Sequence, residues 1–214
     1  MKRSLEKKPA LCLLLVTVIT ASLFGQDIQL PAPQTSGGMP LLDALAKRAT
    51  ARAFDSKELS PQQLSTLLWA SFGINRPDGK RTAPSANNKQ ATDIYVLLKT
   101  GAYVYEAKSN QLTQVLTNDI RNIGGTQAFA TNAPVILIFV ADLSKMGNGS
   151  DEAKRNTANI NVGYISQNTY LFCASGGLAT GARGSVDRKA LGAKLNLRPD
   201  QAIILAQSVG YPKQ

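Results

Sequence analysis

The sequence predicts an α+β domain built on a largely antiparallel sheet, and three observations lead there. From Asp93 the hydrophobic pattern takes a period of two, over residues 94–98, 102–105 and 111–116, with turns at Thr100-Gly101 and Lys108-Ser109-Asn110. That pattern is a three-stranded meander. Two uninterrupted apolar runs, APVILIFV at 133–140 and AIILAQSV at 202–209, read as strands buried on both faces. Between those runs, residues 159–184 carry apolar side chains at Ile160, Tyr164, Leu171 and Phe172, the spacing of a mostly buried helix. Its other side is too polar to sit wholly inside a single-chain core. Helices, meander, helix, strand is the order of an α+β fold, with no internal repeat and no second domain.

In chain order, the first segment stands apart. Lys2, Arg3, Lys7 and Lys8 form a basic leader before an uncharged apolar run over 10–24, short for a bilayer span and suited to a secretory signal. Residues 1–25 are expected to be a signal peptide cut before Gln26, with an uncleaved anchor as the alternative. The protein is therefore expected to be exported, to the periplasm, with no stable membrane insertion after cleavage. Removing the leader lowers the formal charge from +10 to +7. The remaining cations are scattered rather than striped with aromatics, which argues against nucleic acid and for a small anionic ligand or surface. Only Cys173 then remains, so no intramolecular disulfide can form. The chain has no histidine. That excludes a Ser-His-Asp triad, a Cys-His pair and most zinc sites, so no catalytic side chain and no metal site is expected. Any chemistry would rest on Lys, Tyr, carboxylates or a cofactor.

Residues 26–38 form a Pro/Ser/Gly-rich extended arm, and residues 39–214 the folded domain. MPLLDALAKRA, at 39–49, is a short amphipathic helix with apolar residues at Leu41, Leu42 and Leu45. It runs into RATARAF, where Arg48, Thr50 and Arg52 alternate and project to one side of an extended segment, as a phosphate clamp or as two solvated arginines. Ser60 and Pro61 open the next helix, which buries Leu64, Leu67, Leu68 and Phe72 and stops at Gly73. Residues 74–90 lack periodicity and read as a long loop, whose Ser85, Asn87, Asn88 and Gln90 suit the edges of a heterocycle. Residues 146–155 read as a charged loop, and a short helix follows near 187–194. After the central helix, Gly176-Gly177 breaks the backbone, and GGLATG reads as a glycine cap or as a loop presented to a cofactor.

With these pieces in order, the chain resembles the flavin-dependent nitroreductase family over roughly residues 41–213. RATARAF resembles the family's Arg-x-Ser-x-Arg-x-Phe signature, with Thr50 in place of serine. APSANNKQ, at 83–90, is similar to its Pro-Ser-x-x-Asn-x-Gln loop. GGLATG resembles the Gly-Leu-Gly-Thr loop, with Ala179 where glycine is frequent, and SVGYPK resembles the closing Gly-Tyr-Pro segment. LLWASFGINR and the tyrosines at 95, 103 and 105 lean towards the azoline-oxidase (SagB-type) dehydrogenase branch.

The resemblance implies a nitroreductase-like fold, dimeric about the long central helix, with one FMN per subunit at the interface. It assigns Arg48, Thr50 and Arg52 to the phosphate and ribityl chain. Pro84, Ser85, Ala86 and Asn88 would approach the flavin from the other subunit. Gly177 and Leu178 would lie beside the ring, and Lys213 would add a cation near the phosphate. The implied activity passes hydride between a reduced donor such as NAD(P)H and a small electron-poor acceptor. The alternative is a non-catalytic protein that binds flavin or an anionic small ligand in the same groove.

Overall fold

The computed structural model describes residues 26–213, apart from 126 and 128–130. The leader expected over residues 1–25 lies outside the described residues. Seven strands form one sheet in the order β1-β4-β3-β2-β5-β7-β6: β1 Ile28–Gln29, β2 Thr92–Leu98, β3 Gly101–Glu106, β4 Gln111–Leu116, β5 Val135–Asp142, β6 Ala179–Arg183 and β7 Gln201–Gly210. Every pairing is antiparallel. The period-two segments form the meander β2-β3-β4, and the two apolar runs form the adjacent central strands β5 and β7.

Alternation along those strands builds two cores. Ile94 and Val96 of β2 share one face with Val135, Leu137 and Phe139 of β5, covered by α2 (Pro61–Phe72) and α3 (Asp151–Ser175). Tyr95, Leu97, Ile136, Ile138 and Val140 point the other way, beneath α4 (Arg188–Lys194). Because both faces are covered, β5 is buried along its whole length, which is why its sequence shows no polar alternation.

Helix α2 begins as its sequence requires. Ser60 Oγ accepts from Gln63 N while Gln63 Oε1 accepts from Ser60 N, a reciprocal cap, and Pro61 sits where no amide is needed. Helix α3 starts earlier than the expected loop over 146–155 allows. Ser150 accepts from Ala153 N, and Asp151 and Glu152 occupy the first turn, where carboxylates favour the helix dipole. The charged segment is therefore helix from Asp151 onward. It crosses α2 through a buried Ser71–Thr169 hydroxyl pair, 2.7 Å apart.

The face of α3 is also corrected. Ala158, Asn161, Val162, Ile165, Ser166, Thr169 and Cys173 are buried, whereas Ile160 and Tyr164 are 60% and 49% exposed. Small and hydroxyl side chains allow close packing on the sheet, so the bulky pair turns outward. Helix α1 (Leu41–Lys47) behaves likewise: it lies against α3 with Ala44 buried and Leu41, Leu42 and Leu45 exposed.

The arm does not extend away from the domain. It pairs through β1 with β4, and its carbonyls at Pro31 and Ala32 accept from Ser65 Oγ and Gln62 Nε2 of α2. Among the described residues, no helix is long and apolar enough to cross a membrane.

Candidate functional site

The RATARAF segment runs extended beside the outermost strand, β6. Ala51 N donates to Thr180 O at 2.8 Å, and Phe54 forms a bridge with Pro212. Backbone contact is possible because Gly181 has no side chain; a Cβ there would meet Ala51 O at 2.5 Å. The GGLATG segment is thus loop only to Leu178, and strand from Ala179. Leu178 is buried and its amide donates to Cys173 O, whereas Gly176 and Gly177 stay exposed, Gly177 with φ +67°. A buried chain of hydrogen bonds fixes the strand: Ser166 Oγ to Gln207 Oε1, Gln207 Nε2 to Thr180 Oγ1, and Thr180 Oγ1 to Ser208 O.

Tyr170 of α3 ties the arginine segment to this strand. Its hydroxyl lies 3.1 Å from Thr50 Oγ1 and accepts from Ala182 N at 2.9 Å, and its ring lies 5.5 Å below the Arg48 guanidinium. Sequence reasoning missed Tyr170. A second tyrosine on the central helix, six residues after Tyr164, was the available signal.

Arg183 was missed as well, although a lone charge in the small, apolar run ATGA is conspicuous. It is 7% exposed, and its Nη1 and Nη2 donate to Ser208 Oγ (2.6 Å) and Gly124 O (2.8 Å). Its Nε is buried without a partner. Burial pulls the guanidinium down to about 10, with no carboxylate acting against it. Arg52, exposed, has no hydrogen-bond or ion-pair partner among the described residues. Arg52, Arg183, Thr50 and Gln127 line a cavity of about 200 Å³ that no acidic side chain enters. Uncompensated positive charge beside hydroxyls and a close-packed backbone is a donor set for an anionic ligand, and it fits a flavin mononucleotide.

The remaining expected residues fall in two other places. Lys213 is exposed just beyond the Phe54–Pro212 bridge, at the Ala179 end of β6. Pro84, Ser85, Ala86 and Asn88 belong to a built loop rather than an unstructured one. Ile74 bridges Arg81, Ser85 Oγ accepts from Gln90 N, and Gln90 also holds Gly79 O, Asn88 Oδ1 and Arg81 Nε. Ala86–Asn88 is a 3-10 turn whose Ala86 N donates to Asn161 of α3. Asn161 and Tyr170 are nine residues apart, about 13 Å along the helix at 1.5 Å per residue. Within one chain, the 84–88 loop and the arginine segment are therefore separated.

Cys173 sits at the buried end of α3, its thiol pushed up to about 12 by burial, which outweighs a hydrogen bond with Thr180. Such a thiol is a small apolar side chain, not a nucleophile. Among the described residues, no group of three or more His, Cys, Asp or Glu is placed to hold a metal.

The profile of the nitroreductase family matches residues 45–211. A protein from Methanocaldococcus jannaschii, described as a candidate nitroreductase, is 28% identical over 169 residues, 74% of this chain and 84% of that protein. The crystal structure of a candidate nitroreductase from Ralstonia eutropha JMP134 superimposes with a TM-score of 0.84 at 34% identity, covering 99% of this chain and 97% of that one. The NADPH:FMN oxidoreductase from Vibrio harveyi, complexed with NAD+, shares the fold at a TM-score of 0.62 and 18% identity, over 81% of this chain and 69% of that one.

Proposed function

The chain belongs to the nitroreductase family, and from that premise we propose that it is an exported, homodimeric FMN-dependent oxidoreductase. It would pass hydride from a donor such as NAD(P)H to a small electron-poor acceptor. One observation carries the cofactor reading: Arg52 and Arg183 line one cavity, and neither has a carboxylate partner among the described residues. Arg48 and Arg52 would bind the phosphate and ribityl chain, with Thr50 oriented by Tyr170 and Lys213 adding charge from the far end of β6. Gly177 would lie beside the ring. Bound FMN would supply the hydride acceptor and donor that the side chains do not. The chain's own part is to bind, orient and exclude water.

Two observations favour a second copy. The 84–88 loop lies too far along α3 to reach the arginine segment of its own chain, so it would serve the partner's. Ile160 and Tyr164 are exposed on α3, and Gly163 lies on the same face with nothing near its Cβ position. Glycine inside a helix costs about 1 kcal/mol against alanine, a cost that close approach of a second helix would justify. We place the chain nearest the azoline-oxidase branch on its LLWASFGINR segment and tyrosine-bearing β2 and β3. Export rests on the leader alone.

Native mass measurement followed by anaerobic addition of NADH or NADPH tests the proposal. A dimer with one FMN per subunit, bleached by a donor, is expected. A flavin-free monomer would overturn it, and a yellow dimer that no donor bleaches would favour the binding protein without turnover.

A further inference from the structure

The arm and the domain line a second cavity, open on one side and of about 320 Å³, within the size range of small-molecule sites. Residues 34–38 roof it, crossing from α2 to the end of α3. The roof is fastened at both ends: Gln34 N donates to Thr66 Oγ1 (3.1 Å) and Met39 N to Ser175 Oγ (2.7 Å). Between those anchors Gly37 and Gly38 take left-handed φ values of +88° and +89°. A Cβ on Gly38 would meet Ser175 Oγ at 2.8 Å, so glycine lets the roof close on the helix.

The walls specify a chemistry. Trp69 of α2 and Phe172 of α3 supply aromatic surface, and the Trp69 indole is fixed by donating to Ile74 O at 2.9 Å. No charged residue lines the cavity. Its amides are half engaged. Gln63 Oε1 accepts from Ser60 N and the Tyr211 hydroxyl, which leaves Nε2 with no partner among the described residues. Gln62 is the reverse: Nε2 donates to Ala32 O and Thr66 Oγ1, which leaves Oε1 unpaired. Gln34 resembles Gln62, with Nε2 donating to Ser36 O, so the pocket offers one amide donor, from Gln63, and amide acceptors from Gln62 and Gln34 beside two aromatic rings.

We propose that this arm-roofed pocket binds a neutral aromatic carboxamide, or a heterocycle with the same adjacent donor and acceptor. Its ring would pack on Trp69 and Phe172 while Gln63 and Gln62 read the polar edge. The roof lies outside residues 45–211, the span matched by the family profile. The pocket meets the proposed flavin site only at Gly176, the neighbour of Gly177, and its other walls are separate from it.

Trp69 is the only tryptophan of the chain, so its fluorescence reports on this pocket directly. The purified protein is titrated with benzamide and with benzoate, which differ in charge and in the amide N–H donor. The protein's positive charge favours benzoate at long range, so a preference for benzamide must come from the pocket. Saturable quenching by benzamide is expected, with benzoate weaker by at least about tenfold, because an uncharged cavity penalises a desolvated carboxylate. Ala70→Leu, which fills the cavity, should abolish the response while circular dichroism shows the same melting transition. Equal or tighter binding of benzoate, no saturable quenching at millimolar benzamide, or undiminished binding by folded Ala70→Leu would each overturn the proposal. Saturation-transfer NMR on benzamide gives the same reading without fluorescence.

Discussion

Two corners of the sheet gather cations, and the chain treats them in opposite ways. Where β5 ends, Arg198 Nη2 lies 2.9 Å from Asp142 Oδ2 and its Nε 3.0 Å from Asp200 Oδ1. Lys145 Nζ joins them, 3.4 Å from Asp142 and 3.9 Å from Asp93. Every cation there has a carboxylate. At the β6 edge, Arg48 has the Tyr170 ring, Arg183 donates only to neutral oxygens, and Arg52 has no partner among the described residues. A corner that contains its own anions contributes to folding and leaves nothing for a ligand to satisfy. A corner without them is stabilised by whatever anion arrives.

The sharpest way to break the comparison is to remove one arginine from each corner. Arg52→Ala should weaken FMN binding by about 1.5–3 kcal/mol, roughly ten- to hundredfold in Kd, while Arg198→Ala leaves it unchanged. Fluorescence titration of flavin-free protein reads both, and equal losses would erase the distinction between the corners.

The paired corner should respond in stability instead. Asp142→Asn removes the charge that pairs with Arg198 and Lys145 and leaves one acceptor oxygen for the two that Ser144 N and Arg198 use, and should lower unfolding free energy in urea by about 1–3 kcal/mol with flavin affinity retained.

Acid sharpens the same point with a smaller effect. Burial alone would raise the Asp142 carboxyl, but hydrogen bonds from Ser144 and Arg198 and the charge of Lys145 hold it at about 2, below its ordinary 3.8. Its stabilisation is therefore present above pH 3.8 and lost as pH falls from there towards 2. Asp93 is raised, chiefly by burial, so its contribution has the opposite sign and recovers on acidification. The urea midpoint should fall between pH 3.8 and 2 in the wild type, and Asp142→Asn should flatten that slope. An unchanged slope would mean the corner is not held by its charge.

The smallest effect belongs to Cys173, buried close to β6 without taking part in it. Native protein should resist thiol alkylation, and Cys173→Ala should keep its flavin; rapid labelling with loss of flavin would contradict this.

The sheet and the arginine segment of the unpaired corner were legible in the sequence, whereas the paired corner, where Asp142 meets Lys145 and Arg198, was not. Strands β5 and β7 could be read because burial on both faces leaves unbroken apolar runs, and α2 because its start is written in Ser60 and Pro61. Arg48, Thr50 and Arg52 could be marked as one group because extended backbone puts alternate residues on one side. What escaped depends on packing between distant segments. Ile160 and Leu42 carry helical spacing, but spacing cannot say whether an apolar stripe meets its own core or turns outward. The start of α3 was hidden because Asp151, Glu152 and Lys154 look like loop when the Ser150 cap is overlooked. Tyr170 and Arg183 acquire meaning only when β6 lies beside the arginine segment, an arrangement that Gly181 permits and no local pattern announces.

The central claim is that the unpaired cations at the β6 edge mark a phosphate site, and comparing FMN with riboflavin tests it directly, since the two differ by that group alone. Flavin-free wild-type protein should bind FMN roughly ten- to hundredfold more tightly than riboflavin, and Arg52→Ala should close most of that gap. Equal affinity for the two flavins in the wild type would contradict the account.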